Sequence, residues 1–158
     1  MSNELRQTAI KLLARREYTG AELARKLAGL GTPDEVAAVI AEMQASHLQS
    51  DTRAAESYVR GHADRLGTSR LRQNLKSRGV TGEVIAAQFA EGVLPDELER
   101  ARAVWTRKFS APPTDAREWA RQARFLQGRG FSSDIIRQVF KALKEPAEAV
   151  EPTAALDQ

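Results

Sequence analysis

Apolar residues recur three and four positions apart along nearly the whole chain, in short runs broken by Gly, by Pro, or by a Thr, Ser or Asp suited to start a helix. This spacing predicts helices over residues 4–16, 20–29, 33–46, 51–64, 68–78, 82–91, 96–109, 115–128 and 132–143. Thr19 with Glu22 and Thr32-Pro33 with Glu35 read as capping boxes, and Asp51, Thr68, Thr81, Asp96, Asp115 and Ser132 as further caps. No alternating run bounded by turn signals is long enough to demand a strand, so the class is all-α.

The helices are copies of a unit. Leu75, Arg78, Gly79, Ile85 and Phe89 are matched 51 residues later by Leu126, Arg129, Gly130, Ile136 and Phe140. A fainter copy, Leu23, Leu27, Gly31, Glu35 and Val36, precedes Leu71, Leu75, Gly79, Glu83 and Val84 by 48 residues. Nine helices thus group as three tandem three-helix units over 1–50, 51–94 and 95–144, each burying its apolar stripe against neighbours. Gly31, Gly79 and Gly130 stand where a left-handed residue ends the second helix of each unit. Pro112-Pro113 stiffens the connector after the seventh helix, and the stretch 145–158, four acids and no base, reads as a disordered acidic tail.

Composition limits the chemistry. The chain has no cysteine and only two histidines, His47 and His62, and lacks a phosphate-binding loop, a dinucleotide fingerprint, an HExxH and any Cys/His metal spacing. No catalytic, cofactor or metal site is expected, and no small-molecule substrate. With no apolar stretch near the roughly 20 residues of a membrane span and no leader pattern, a cytoplasmic location is expected.

The net charge of +3 hides an asymmetry. Residues 60–78 hold six bases against one acid and residues 100–129 eight against two, whereas residues 1–51 carry six bases and seven acids. Such blocks favour a polyanionic partner. In the helix after the double proline, Ala116, Trp119, Ala120, Ala123 and Leu126 form the expected core stripe, and Arg117, Arg121 and Arg124 line another face. The equivalent helix offers Arg70, Arg72 and Lys76, with Arg78 at its end as the counterpart of Arg129. Guanidinium groups suit phosphate or carboxylate, so these eight residues are the candidate contacts. Tyr58, Phe89, Trp105, Phe125 and Phe140 fall at core spacings, and both tryptophans, Trp105 and Trp119, are expected to pack between helices.

The residues also carry a resemblance. An AxxLLxxR run (Ala9, Leu12, Leu13 and Arg15 or Arg16) precedes the Thr19–Leu23 box. Gly67, Leu71 and Leu75 then precede Arg78-Gly79-Val80, and Phe125-Leu126 precedes Arg129-Gly130-Phe131-Ser132. In order and spacing, residues 5 to 143 resemble the RecX family, regulators of the RecA recombinase. FLxxRGFSxDxI, from Phe125 to Ile136, is the most specific piece. The chain departs from the family at Ser46-His47-Leu48-Gln49-Ser50-Asp51, where Gly-Tyr or Gly-Leu before Asn-Asp is common.

The resemblance implies an elongated, curved modular protein lying along the RecA filament on single-stranded DNA, meeting the DNA directly or through RecA. It implies inhibition of RecA's ATP hydrolysis, strand exchange and coprotease activity in recombination and DNA repair, with no catalytic residues to carry over. Two other classes compete. A helix-turn-helix transcription factor would present residues 34–43 to DNA, yet that segment has three acids and no base. A helical-repeat scaffold fits the repeats and leaves the basic blocks unexplained.

Overall fold

Both Thr-x-x-Glu boxes close. Thr19 Oγ1 accepts from the Glu22 amide and Glu22 Oε1 from the Thr19 amide, each at 3.0 Å, and Thr32 and Glu35 repeat the exchange at 3.2 and 3.1 Å. In the computed structural model, which describes residues 2–145, these boxes start α2 and α3. The helices are α1 Ser2–Arg15, α2 Gly20–Leu27, α3 Pro33–Ala45, α4 Asp51–His62, α5 Thr68–Ser77, α6 Gly82–Gln88, α7 Glu97–Lys108, α8 Ala116–Gly128 and α9 Ser133–Lys144. Among the described residues there is no strand. The expected acidic tail lies outside them, apart from Glu145.

Several expected caps do other work. Ser50, not Asp51, caps α4 by accepting from the Arg53 amide at 3.2 Å. Asp51 instead reaches a helix start far away in sequence and takes the Gly20 amide at 2.8 Å. Thr68 lies inside α5, and its amide donates to Glu97 Oε1 at 3.2 Å. Thr81 and Asp96 hold the N-cap positions of α6 and α7 without a side-chain cap bond. Asp115 and Ser132 cap as expected, at 2.8 and 3.3 Å.

Gly79 (φ 85°) and Gly130 (φ 96°) are left-handed, whereas Gly31 is not. The first-unit turn makes a different use of its glycine: Leu5 fills the space beside it, and a Cβ on Gly31 would meet Leu5 Cδ1 at 2.6 Å. Among the described residues, His47 is the non-glycine residue with positive φ, 63°. It follows the end of α3, within the segment Ser46-His47-Leu48-Gln49-Ser50-Asp51. The turn there is left-handed, and a residue with a side chain bears the strain that glycine would avoid.

The repeated turns are repeated docking points. Thr19 Oγ1 donates to the Arg78 carbonyl at 2.7 Å, and the Gly67 amide donates to the Arg129 carbonyl at 2.7 Å. Thr19 and Gly67 precede the second helix of the first and second repeats, and Arg78 and Arg129 are themselves repeat-equivalent. Arg78 reinforces its docking point: its guanidinium lies 4.3 Å from the Tyr58 ring centre and 3.4 Å from Glu22 Oε2. The described residues form two compact units, 2–63 with Arg70–Leu94, and Asp64–Ser69 with 95–145. The first two repeats share one body.

Each unit has its own core. In the first, Leu5, Ala9, Tyr18, Leu23, Leu27, Val36, Val39 and Met43 cluster between α1, α2 and α3. In the second, Ala101, Val104, Trp105, Leu126, Phe131, Ile136, Val139 and Phe140 do so. The α8 stripe expected to face this core is rotated. Its buried residues are Gln122 and Leu126, whereas Ala116 and Ala120 are exposed. Trp119 stays 38% exposed and meets Phe140 edge-on at 5.2 Å. The reason is polar: the buried Trp105 Nε1 donates to Gln122 Oε1 at 2.7 Å, and a Trp N–H in a core needs such a partner. Phe89 and Phe125, also expected in the core, are half-buried beneath cationic side chains.

Candidate functional site

With Gln122 and Leu126 inward, the far side of α8 carries Arg117, Arg121 and Arg124, all exposed and within one third of the helix circumference by a rotation of about 100° per residue. The three differ in freedom. Arg121 is clamped by Glu118 through Nε–Oε2 at 3.0 Å and Nη2–Oε1 at 2.6 Å, and its guanidinium lies 5.1 Å from the Phe109 ring centre. Gln122 Nε2 also donates to Glu118 Oε1 at 3.0 Å and to the Ala111 carbonyl at 3.1 Å. A relay therefore runs from buried Trp105 through Gln122 and Glu118 to Arg121, and it anchors the connector before the double proline. Arg117 and Arg124 have no ion-pair partner among the described residues, so they are the ready donors of the row.

The hydrogen bonds from Arg121 and then Gln122 hold the Glu118 carboxyl down at about 2, against partial opposition from burial. The folded value lies below the unfolded one, so this contribution to stability is complete above the ordinary carboxylate value and is lost as pH falls toward about 2. Carbon-13 titration of the side-chain carboxyl is expected to show it ionised throughout the pH 3–5 range, and R121A should move its midpoint up toward the ordinary value. An unmoved midpoint would show that the clamp does not form in solution.

In the first unit the basic residues of α5 do not make an equivalent row. Arg72 and Lys76 are one turn apart and exposed, with Arg72 lying 4.6 Å from the Phe89 ring centre. Arg70, two residues before Arg72, points about 200° away around the helix. Arg78 is half-buried and occupied in the docking point described above.

Arg129 joins residues that no single helix brings together. A groove of about 370 Å³ is lined by Asp64, Arg65, Arg107, Lys108, Phe125 and Arg129, over buried Val104. Arg107 Nη2 donates to the Asp64 carbonyl, and Arg65 Nε lies 3.7 Å from Asp64 Oδ1. Lys108 Nζ and Arg129 Cζ lie 5.6 and 5.2 Å from the Phe125 ring centre. The sequence placed Arg65, Arg107 and Lys108 in basic blocks without singling them out, because their meeting depends on α7 and α8 packing side by side. The Glu118–Arg121 clamp was not singled out either, although its i, i+3 spacing of opposite charges is a signal that could have found it. Among the described residues no group of His, Asp or Glu could hold a metal ion, and no helix is long and apolar enough to cross a membrane.

Models of the RecX family match the chain three times: the first three-helix domain over residues 6–42, the second over 50–87 and the third over 95–140. The chain is 47% identical over 138 residues to the regulatory protein RecX of Leptothrix cholodnii, covering 87% of each. It is 43% identical over 136 residues to that of Chromobacterium violaceum, covering 85% of this chain and 88% of the relative. The crystal structure of RecX from Lactobacillus salivarius shares the fold with a TM-score of 0.73 at 20% identity, over 90% of this chain and 96% of the other.

Proposed function

Because the chain belongs to the RecX family of regulatory proteins, we propose that it regulates the RecA recombinase, binding along the RecA filament on single-stranded DNA and restraining its ATP hydrolysis, strand exchange and coprotease activity. The observation that carries this reading is the Arg117/Arg124 face of α8: two ready guanidinium donors on a rigid helix, with Arg121 between them. Arg72 and Lys76 offer a smaller basic face on the first unit. Regulation by such a protein is a matter of differential binding and requires no chemistry of its own.

RecA's DNA-dependent ATP hydrolysis, measured with this protein at substoichiometric amounts, should fall. Undiminished hydrolysis and strand exchange at equimolar protein would overturn the proposal. Within it, Arg117→Glu with Arg124→Glu should raise the concentration needed for half-inhibition by about tenfold, the equivalent of roughly 1.4 kcal/mol. Melting should change by no more than roughly 0.5 kcal/mol, as expected of exposed substitutions. Arg121 is left in place, since reversing it would set two carboxylates side by side and disturb the Gln122 relay. A folded double variant that inhibits like wild type would move the contact off α8.

A further inference from the structure

We propose that the acidic segment following α9 docks on the Arg117/Arg124 face of α8, and that a partner binding there must displace it. Residues 145–158 carry Glu145, Glu148, Glu151 and Asp157 and no base. Arg117 and Arg124 are exposed and have no ion-pair partner among the described residues, while Arg121 between them is occupied by Glu118. The other basic site of this unit is already engaged: Arg107 donates to the Asp64 carbonyl, and Lys108 and Arg129 lie against the Phe125 ring.

The spacings match. Glu145 leaves α9 with an extended backbone, φ −70° and ψ 126°, as a residue before proline prefers. Pro146 and Pro152 frame Glu148 and Glu151, and proline favours the polyproline II helix, which turns once in about three residues and rises about 3.1 Å per residue. In that conformation Glu145, Glu148 and Glu151 share one edge, about 9 Å apart. Arg117 and Arg124, seven residues apart on an α-helix, are offset by about 10 Å along its axis.

The reach is sufficient. The last turns of α9 pack beside the start of α8, where Phe140 meets Trp119 at 5.2 Å. A helix with its side chains is about 10–12 Å across. An extended chain covers about 3.3 Å per residue, so Glu148 and Glu151 come within about 10 and 20 Å of Glu145, enough to cross α8 to its arginines. By a rotation of about 100° per residue, Ala116 and Ala120 lie between Trp119 and the two arginines, and both are exposed. Their methyl groups let a backbone pass close. Exposed ion pairs are individually weak and screened by salt, but a tethered segment acts at an effective concentration of about millimolar order. Such a contact forms within one chain and yields to a ligand that engages the same guanidinium groups more tightly.

The chain has no cysteine, so A154C places a single nitroxide label on the otherwise intact protein. Without RecA and in low salt, the label should broaden the amide signals of Ala120 and Arg124, and E148Q with E151Q should at least halve that effect. R117E with R124E should do the same, and adding E148K and E151K to that pair should restore it. K108E with R129E should leave it unchanged. Helix content is followed throughout; if R117E with R124E unfolds, E148Q with E151Q decides, since it leaves the described residues untouched. No broadening in the wild type, broadening undiminished in the folded variants, or its loss in K108E with R129E instead would each overturn the docking.

The consequence for regulation rests on the RecA reading: E148Q with E151Q should half-inhibit RecA's ATP hydrolysis at a concentration about threefold lower than wild type. Docking with equal half-inhibition would refute the competition. Docking with RecA unaffected by either form would sink the regulatory role alone.

Discussion

Replacing Gly79 with alanine is expected to cost the first unit about 3 kcal/mol, whereas the same change at Gly92 should cost only about 1 kcal/mol. Both glycines are left-handed, with φ of 85° and 84°, so the backbone strain imposed on alanine is the same. They differ in what the new methyl meets. At Gly92 nothing lies within 4 Å, while at Gly79 it would stand 2.5 Å from Ala21 Cβ on α2. Ala21 belongs to the helix start that docks through Thr19 on the Arg78 carbonyl, so the clash opens the contact between the first two repeats. Thermal unfolding should show a drop of about 10 °C for G79A. Adding A21G should recover the steric part and leave the strain. Equal losses at Gly79 and Gly92 would show that conformation alone matters and that the docking contact contributes nothing.

Truncating Arg100 to alanine is expected to destabilise the second unit by about 3 kcal/mol, although Arg100 reads in the sequence as one more member of a basic surface block. It is 7% exposed. Its Nη2 donates to the Leu66 carbonyl at 3.0 Å, and its guanidinium lies 3.4 to 3.5 Å from Thr68 Oγ1. Burial lowers its pKa, and the charges of Glu97 and Asp96 work in the other direction. Removing the side chain strands the Leu66 carbonyl and leaves a void where the stem packed. Arg102, exposed two residues on, is the control, and R102A should shift stability by no more than roughly 0.5 kcal/mol. Denaturant unfolding compares the two. If R100A and R102A unfold together near wild type, the buried hydrogen bonds of Arg100 carry no net stabilisation.

Local signals in the sequence determined the helices. Capping boxes act within four residues, apolar spacing acts within a few turns, and a repeat is a comparison of the chain with itself. Thr19, Thr32, Asp115 and Ser132 therefore start helices where they were expected to, and Gly79 and Gly130 end them. The family was legible for the same reason, in FLxxRGFSxDxI and its earlier copy. The exposed Arg117/Arg121/Arg124 face followed from helical spacing alone.

What a residue meets across the fold was decided by tertiary packing. Asp51 and Glu97 reach the starts of α2 and α5, Arg78 is spent on a docking point, and Arg100 is buried. Arg65, Arg107, Lys108 and Arg129 come together around one groove from three places in the chain. Gln122 displaced the expected Ala/Trp119 stripe because the core already held the N–H of Trp105, and one buried donor without an acceptor outweighs the gain from an alanine face. The physical reason is range: hydrophobic periodicity fixes which side of a helix turns inward to within about one residue, and only the partners waiting there choose the final rotation.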